Sequence, residues 1–381
     1  MIYLDNAATT WPKPEAVYRA MEEKYRRFGA NPGRGAHRLA RETSHQVDLV
    51  RRSIARFFEL GDPHRAIFTS GATESLNAAL FGLLRAGDHV ITSSLEHNAV
   101  TRPLFFLQKR GVRVTRIPHL PGGQLDLGAL HSAFLPETRA VVLSHASNVL
   151  GCVQPVDEIL DITHRHGAIL ILDGAQSAGQ LPFSMRQTPV DLYCTSGHKG
   201  LYGPSGVGLL LVGNPGLALS PWKLGGTGVR SEEEELPAAY PYRLESGSQN
   251  LPGIFALGEA IDFLQNDGAG RQHAVGEVMN RLLDGLAAMP GVELYGLTPP
   301  SQRVHLVSFN VKGVAPQAVE SYLDAAGIAV RSGLHCAPEA HRWLGTLERG
   351  GTVRVSPGLF NRVEQIEAFL TALHEMVQWR S

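Results

Sequence analysis

Seven short apolar runs, at 66–69, 89–92, 112–117, 140–144, 168–172, 192–195 and 207–212, punctuate the first two-thirds of this 381-residue chain. Amphipathic stretches lie between several of them, as at 74–84 and 156–166. A short run that is apolar at successive positions suits a strand covered on both faces, and strands that alternate with helices build parallel sheets. The pattern predicts an α/β fold whose large unit is a mainly parallel seven-stranded sheet under helices. The seventh run follows the sixth after a glycine-rich link, Gly200-Leu-Tyr-Gly-Pro-Ser-Gly206, of a length that suits an antiparallel return.

The texture changes after residue 212. Residues 213–250 are rich in Gly, Pro and Glu, and Glu232-Glu-Glu-Glu235 reads as an exposed loop. From about Pro252 the chain reads as helices around a smaller sheet, with strands expected at 305–311, 328–331 and 352–355 and a helix at 316–326. The last helix is expected to start from Asn361 as its cap, with Glu364 three residues on. Val363, Ile366, Phe369, Leu370, Leu373 and Val377 then share one face of it.

Composition narrows the function classes. Apolar residues at 43% and charged residues at 19% are those of a soluble globular protein. With 35 basic and 36 acidic residues, nothing points to a nucleic-acid surface. No apolar run approaches the ~18 residues of a membrane span, and no basic-then-apolar leader opens the chain. A cytoplasmic protein without membrane or nucleic-acid partners is therefore expected. Three cysteines, at 152, 194 and 336, are too few for a disulfide framework, and the 16 histidines show no ligand spacing, so no metal site is expected.

Two short motifs carry the chemistry. Ser196-Gly197-His198-Lys199 follows the sixth run, and Asp173-Gly-Ala-Gln176 follows the fifth. A lysine at the mouth of a sheet, kept partly neutral by its surroundings, can serve as a Schiff-base amine. A lone lysine is usually solvated, and a lone strand-terminal aspartate is usually a cap. The two together, each after its own strand at the carboxyl edge of a parallel sheet, fit a lysine and an acidic partner for a pyridine nitrogen. A third motif, Ser70-Gly71-Ala72-Thr73, follows the first run and opens a helix, a setting that suits a phosphate.

Six motifs occur in one order along the chain: Ser70-Gly-Ala-Thr-Glu-Ser-Leu-Asn77, Glu96-His97-Asn98, Ser147-Asn148-Val-Leu-Gly151, Asp173-Gly-Ala-Gln176, Ser196-Gly-His-Lys199 and Arg331-Ser-Gly-Leu-His-Cys336-Ala-Pro338. Together with Tyr3-Leu-Asp-Asn-Ala-Ala-Thr-Thr10, the set resembles the class V aminotransferases, and within them the cysteine desulfurases and selenocysteine lyases. The resemblance runs from Tyr3 to Arg354. It implies the fold type I of pyridoxal 5'-phosphate enzymes. A large domain at 13–254 and a small domain built from 1–12 and 255–381 follow from it, the small domain carrying the cysteine loop.

The resemblance also assigns roles. Lys199 would hold the cofactor and then move the substrate's α-proton, Asp173 would face the ring nitrogen and Gln176 the phenolic oxygen. His97 would stack on the ring and transfer a proton, joining Lys199 and Cys336 as a catalytic residue, while Asn148 would lie near the phenolic oxygen and the substrate carboxylate. Ala72, Thr73, Ser196 and His198 would contact the phosphate, joined by Ser248 from the other subunit of a homodimer. Ser248 stands where the family usually has Thr. Arg354 is the first candidate for the substrate carboxylate and Arg331 the second, since a guanidinium matches a carboxylate with two parallel hydrogen bonds.

Cys336 would take the sulfur as a persulfide, on a short loop like that of the group II desulfurases, and Cys152 and Cys194 are read as buried. The implied reaction is the conversion of L-cysteine to L-alanine, with sulfur passed to an acceptor protein or a reductant, as in iron–sulfur cluster assembly. Selenocysteine lyase and cysteine-sulfinate desulfinase stay open, as do epimerase, aminotransferase and a silent sulfur-transfer partner.

Overall fold

Alternate side chains of each central strand enter different cores, which is why the runs at 140–144, 168–172 and 207–212 are apolar at almost every position. The computed structural model describes residues 1–33, 35–296, 299 and 302–378. The chain begins with β1 (Ile2–Tyr3), α1 (Glu15–Phe28) and α2 (Arg38–Phe57). Then follow β2 (Ala66–Thr69), α3 (Ala72–Leu83), β3 (His89–Ser93), α4 (Asn98–Gln108), β4 (Arg113–Ile117) and α5 (Leu127–Ser132). Next come β5 (Thr138–Ser144), α6 (Val156–Arg165), β6 (Ile169–Asp173), β7 (Leu192–Ser196) and β8 (Gly208–Val212).

These strands make one seven-stranded sheet in the order β2-β8-β7-β6-β5-β3-β4. β8 runs antiparallel to β2 and β7, as its short link allows, and the other pairings are parallel. On β6, Leu170 and Leu172 enter the core shared with α2, α6 and α7 (Leu251–Ala287), while Ile171 enters the core under α3 and α4. Each such buried side chain contributes roughly 1.5–3 kcal/mol of hydrophobic stabilisation.

The rest of the chain is β9 (Val292–Tyr295), β10 (Val307–Val311), α8 (Pro316–Ala325), β11 (Ile328–Ala329), β12 (Arg331–Gly333), α9 (Pro338–Trp343), β13 (Thr352–Val355) and α10 (Val363–Gln378). A second, antiparallel sheet has the order β12-β13-β10-β9. Its core includes Phe309, Val353 and Val355 from the sheet, Val319 and Leu323 from α8, and Ile366, Phe369 and Leu373 from α10. β1 pairs in parallel with β11, so the start of the chain lies with its last third. Helix α7 spans 37 residues and joins the two halves. Its Phe255, Leu257 and Ile261 enter the first core, and its Met279, Leu282 and Leu286 enter the third. The expected division at 254/255 falls inside this helix.

Several local expectations change. The strand expected at 328–331 is two short strands, β11 and β12, in different sheets. The one expected from 305 starts at Val307, and β9 was not expected. Asn361 lies ahead of α10 but ties elsewhere: its amide donates to Tyr3 O at 3.1 Å, and its Oδ1 accepts from Gly358 N at 2.7 Å. Gln365 Oε1 instead accepts from Arg362 N at 3.1 Å. Between β8 and α7 there is neither helix nor strand, and Glu232 through Glu235 are exposed. Among the described residues no helix is long and apolar enough to cross a membrane.

Candidate active site

The carboxyl ends of β2, β3, β5, β6 and β7 meet at one edge of the large sheet, where β12, β13 and the segment after β1 close over them. The cavity between has a volume of about 340 Å³, the scale of a small-ligand site. Asp173, the last residue of β6, is buried there, and its Oδ1 accepts from Ala175 N at 2.9 Å. Burial raises the Asp173 pKa, against the opposing pull of that amide and of Lys199. A cationic group beside it would relieve that cost. Lys199 follows β7 after a turn and lines the cavity. Burial lowers its amine to about 8, with Asp173 opposing and Arg354 and Arg331 adding to the shift. The amine is thus partly neutral near neutral pH, as a nucleophile requires.

The opposite wall is the start of α3. No side chain caps this helix, and Ala72 and Thr73 face the cavity, so its first amides are open to an anion. Close packing brings this turn against the sheet. A Cβ on Gly208 would lie 2.4 Å from Gly71 Cα, so β8 needs a glycine at its first position. Ser196 and His198 complete that side of the cavity. Burial lowers His198 to about 4, so the ring is neutral, and Lys199 and Lys13 push the same way.

Gln176 Oε1, Ser196 Oγ and His198 Nδ1, all on residues that line the cavity, are buried without a partner. Buried polar groups are rarely left so, and their clustering marks a polar ligand site. With the open α3 amides, the acid at Asp173 and the free amine at Lys199, the residues fit the phosphate, phenolic oxygen, ring nitrogen and aldehyde of pyridoxal 5'-phosphate. Gln176 Nε2 donates to Ala7 O at 3.0 Å, which fixes its amide against the N-terminal segment. His97 is the cap of α4, its Nδ1 accepting from Ala99 N at 3.0 Å. Burial, reinforced by Lys199 and nearby arginines, lowers His97 to about 4. The ring is therefore neutral with its proton on Nε2.

Arg354, on β13, is 2% exposed and pairs with Asp5 at 2.9 Å, while its Nη1 donates to Asn148 O at 3.1 Å. Its Nε is buried without a partner. Arg331 stands directly opposite Arg354 across the β12–β13 register and lines the same cavity. Two adjacent guanidiniums favour an anion between them.

Cys336 is exposed and also lines the cavity. Its loop is pinned at several points. Asn148 Nδ2 donates to His335 O at 2.6 Å, and Asn98 N donates to Cys336 O at 2.7 Å. The buried His335 ring meets Thr352 O and Oγ1, each at 3.1 Å. His335 and Cys336 both have positive φ, 47° and 58°, an uncommon conformation that these contacts hold in place. Behind the loop, a Cβ on Gly351 would lie 2.1 Å from Gly333 O. Cys152 and Cys194 are buried, and burial raises both thiols.

The structure brings every expected site residue to this cavity except Ser248. Ser248 is exposed and lines a separate cleft, which it shares with Ser70, Glu74 and Lys223. The sequence reading gave no role to Asp5, Ala7 or His335. Asp5 carried the signal that singled out Asp173, an acid just after a strand.

A family model described as aminotransferase class-V matches residues 2–369. A probable cysteine desulfurase of Halalkalibacterium halodurans is 35% identical over 100% of this chain and 94% of its own length. Another, of Methanothermobacter thermautotrophicus, is 36% identical over 98% of this chain and 94% of its own. Among solved structures, the apo cysteine desulfurase of Thermococcus onnurineus NA1 aligns with a TM-score of 0.92 at 33% identity, covering 99% of this chain and 95% of that one.

Proposed function

The chain belongs to the class-V aminotransferase family, and we propose that it is a cysteine desulfurase that uses pyridoxal 5'-phosphate to convert L-cysteine to L-alanine, with Cys336 taking the sulfur. The observation that carries this reading is an exposed thiol on a pinned loop, opening into the cavity that holds Lys199 and Arg354. When bound, the cofactor supplies an electron sink next to the substrate's α-carbon. The Lys199 amine would hold its aldehyde, Asp173 its ring nitrogen and Gln176 its phenolic oxygen. Ala72, Thr73, Ser196 and His198 would hold its phosphate, and His97 would lie against the ring.

Arg354, fixed by Asp5, orients the substrate carboxylate, and Arg331 adds positive charge beside it. Lys199 takes the proton from the substrate's α-carbon. The Cys336 thiolate then attacks the substrate sulfur. A sulfur–sulfur bond forms, the carbon–sulfur bond breaks with its electron pair passing to the β-carbon, and protonation of that carbon leads to alanine. A thiol or an acceptor protein then removes the persulfide sulfur.

The enzyme acts as a homodimer in this reading, Ser248 of each subunit completing the phosphate site of the other. Its exposure, and its place outside its own subunit's cavity, support that role. Three free thiols fit a reducing compartment, the cytoplasm. The test measures alanine formed from L-cysteine by the wild type and Cys336→Ala holoenzymes. The variant should keep the cofactor and lose alanine formation from cysteine, while activity on selenocysteine, which has the better leaving group, survives. Equal cysteine activity in both proteins would refute the role of Cys336.

A further inference from the structure

The carbonyl oxygen of His198, one peptide before Lys199, collects donors from the N-terminal segment. Lys13 Nζ lies 2.8 Å from it, Thr10 N 3.0 Å and Thr9 Oγ1 3.1 Å. Thr10 Oγ1 lies 3.2 Å from it and 3.1 Å from Lys199 O. A carbonyl has two lone pairs, so this oxygen is fully engaged. The peptide between His198 and Lys199 is planar, so fixing its oxygen fixes the direction in which the chain enters Lys199.

Lys13 is set up for this contact. It lies between Pro12 and Pro14, which restrict the backbone on both sides of it. It is half-buried, and its amine also donates to Thr10 Oγ1 at 2.7 Å. Lys24 and Lys223 each meet a glutamate, but among the described residues Lys13 has no carboxylate partner. Burial alone brings its amine down to about 7. An amine held in this way has no ion pair to explain it, and its contacts are the His198 carbonyl and the threonine beside it.

We propose that Lys13 is a positioning residue for Lys199, clamping the His198 carbonyl so that the Lys199 amine is aimed into the cavity. The inference rests on the reading of Lys199 as the cofactor's lysine. It extends the site to Lys13, which precedes the large sheet and does not itself line the cavity.

The test compares wild type, Lys13→Met, Lys13→Arg and Thr9→Val holoenzymes. The first readout is visible circular dichroism per unit of cofactor absorbance, which reports how the bound chromophore is oriented. The others are kcat and KM for cysteine and the melting temperature of the apoprotein. Lys13→Met should lose visible dichroism and lower kcat by about 10- to 100-fold, with KM changed by less than about threefold. Lys13→Arg, which keeps a donor, should restore most of both. Thr9→Val should shift both in the same direction by less. Wild-type dichroism and kcat in Lys13→Met would overturn the proposal, as would a fall in melting temperature alone. If Lys13→Met does not fold, an unchanged Thr9→Val overturns it and a lowered dichroism and kcat supports it. Absence of a visible band in the wild type would instead overturn the reading of Lys199 itself.

Discussion

At the scale of the residue, Lys199 sets a pH dependence. Burial and two arginines hold its amine at about 8, although Asp173 pulls the other way. A lowered amine pKa favours the neutral form, which is the nucleophile. At pH 7 about a tenth of the amines are neutral, and at pH 6 about a hundredth. Cofactor uptake by the apoprotein should therefore quicken roughly tenfold between about pH 6 and 7 and level off above about 8. Stopped-flow absorbance at saturating cofactor measures this, and a rate still climbing at about pH 10, as for an unperturbed lysine, would contradict it. His97 adds no step in this range, because burial holds it near 4 and Ala99 N occupies its Nδ1. Lys199 and Asp173 stood out in the sequence because each follows its own apolar run. Partners that come from distant segments did not: the Asp5–Arg354 pair spans 349 positions, and only the fold brings its members together.

At the scale of the element, the sheet was legible because it is buried on both faces. Each of its strands except the edge strand β4, where Arg113 and Arg116 are exposed, is a short, mostly buried run, and the antiparallel turn of β8 follows from its short link. β9 was not legible, since Val292-Glu-Leu-Tyr295 is only four residues long; its Tyr295 hydroxyl accepts from Asn310 Nδ2 at 3.3 Å. β11 and β12 read as one strand because only Val330 lies between them, and the break sends them to different sheets. The cap of α10 was misread for a similar reason. Asn361 has the chemistry of a cap, but Tyr3 O and Gly358 N, one remote and one local, compete for its side chain and win. The cysteine loop is short, and its conformation depends on Asn98, Asn148 and Thr352, none of which adjoins it in sequence.

At the scale of the whole molecule, one cavity lies between the large sheet and the second sheet, and the proposed site needs a second copy of the chain to be complete. Mixing makes this testable. Lys199→Ala chains and Ser248→Ala chains, unfolded together and refolded as mixed dimers, should regain one intact site per dimer, because Lys199 of one subunit would meet Ser248 of the other. Cofactor affinity and turnover should then exceed those of either parent, whereas no gain on mixing would mean that Ser248 does not act across subunits. The central claim is that Cys336 receives the sulfur, and it is tested most directly by mass spectrometry of the holoenzyme after one turnover with L-cysteine and no reductant. The account predicts that the peptide holding Cys336 gains the mass of one sulfur atom, that a reducing thiol removes it, and that the peptides holding Cys152 and Cys194 are unchanged. Alanine formed in that turnover with no added sulfur on Cys336 would contradict it.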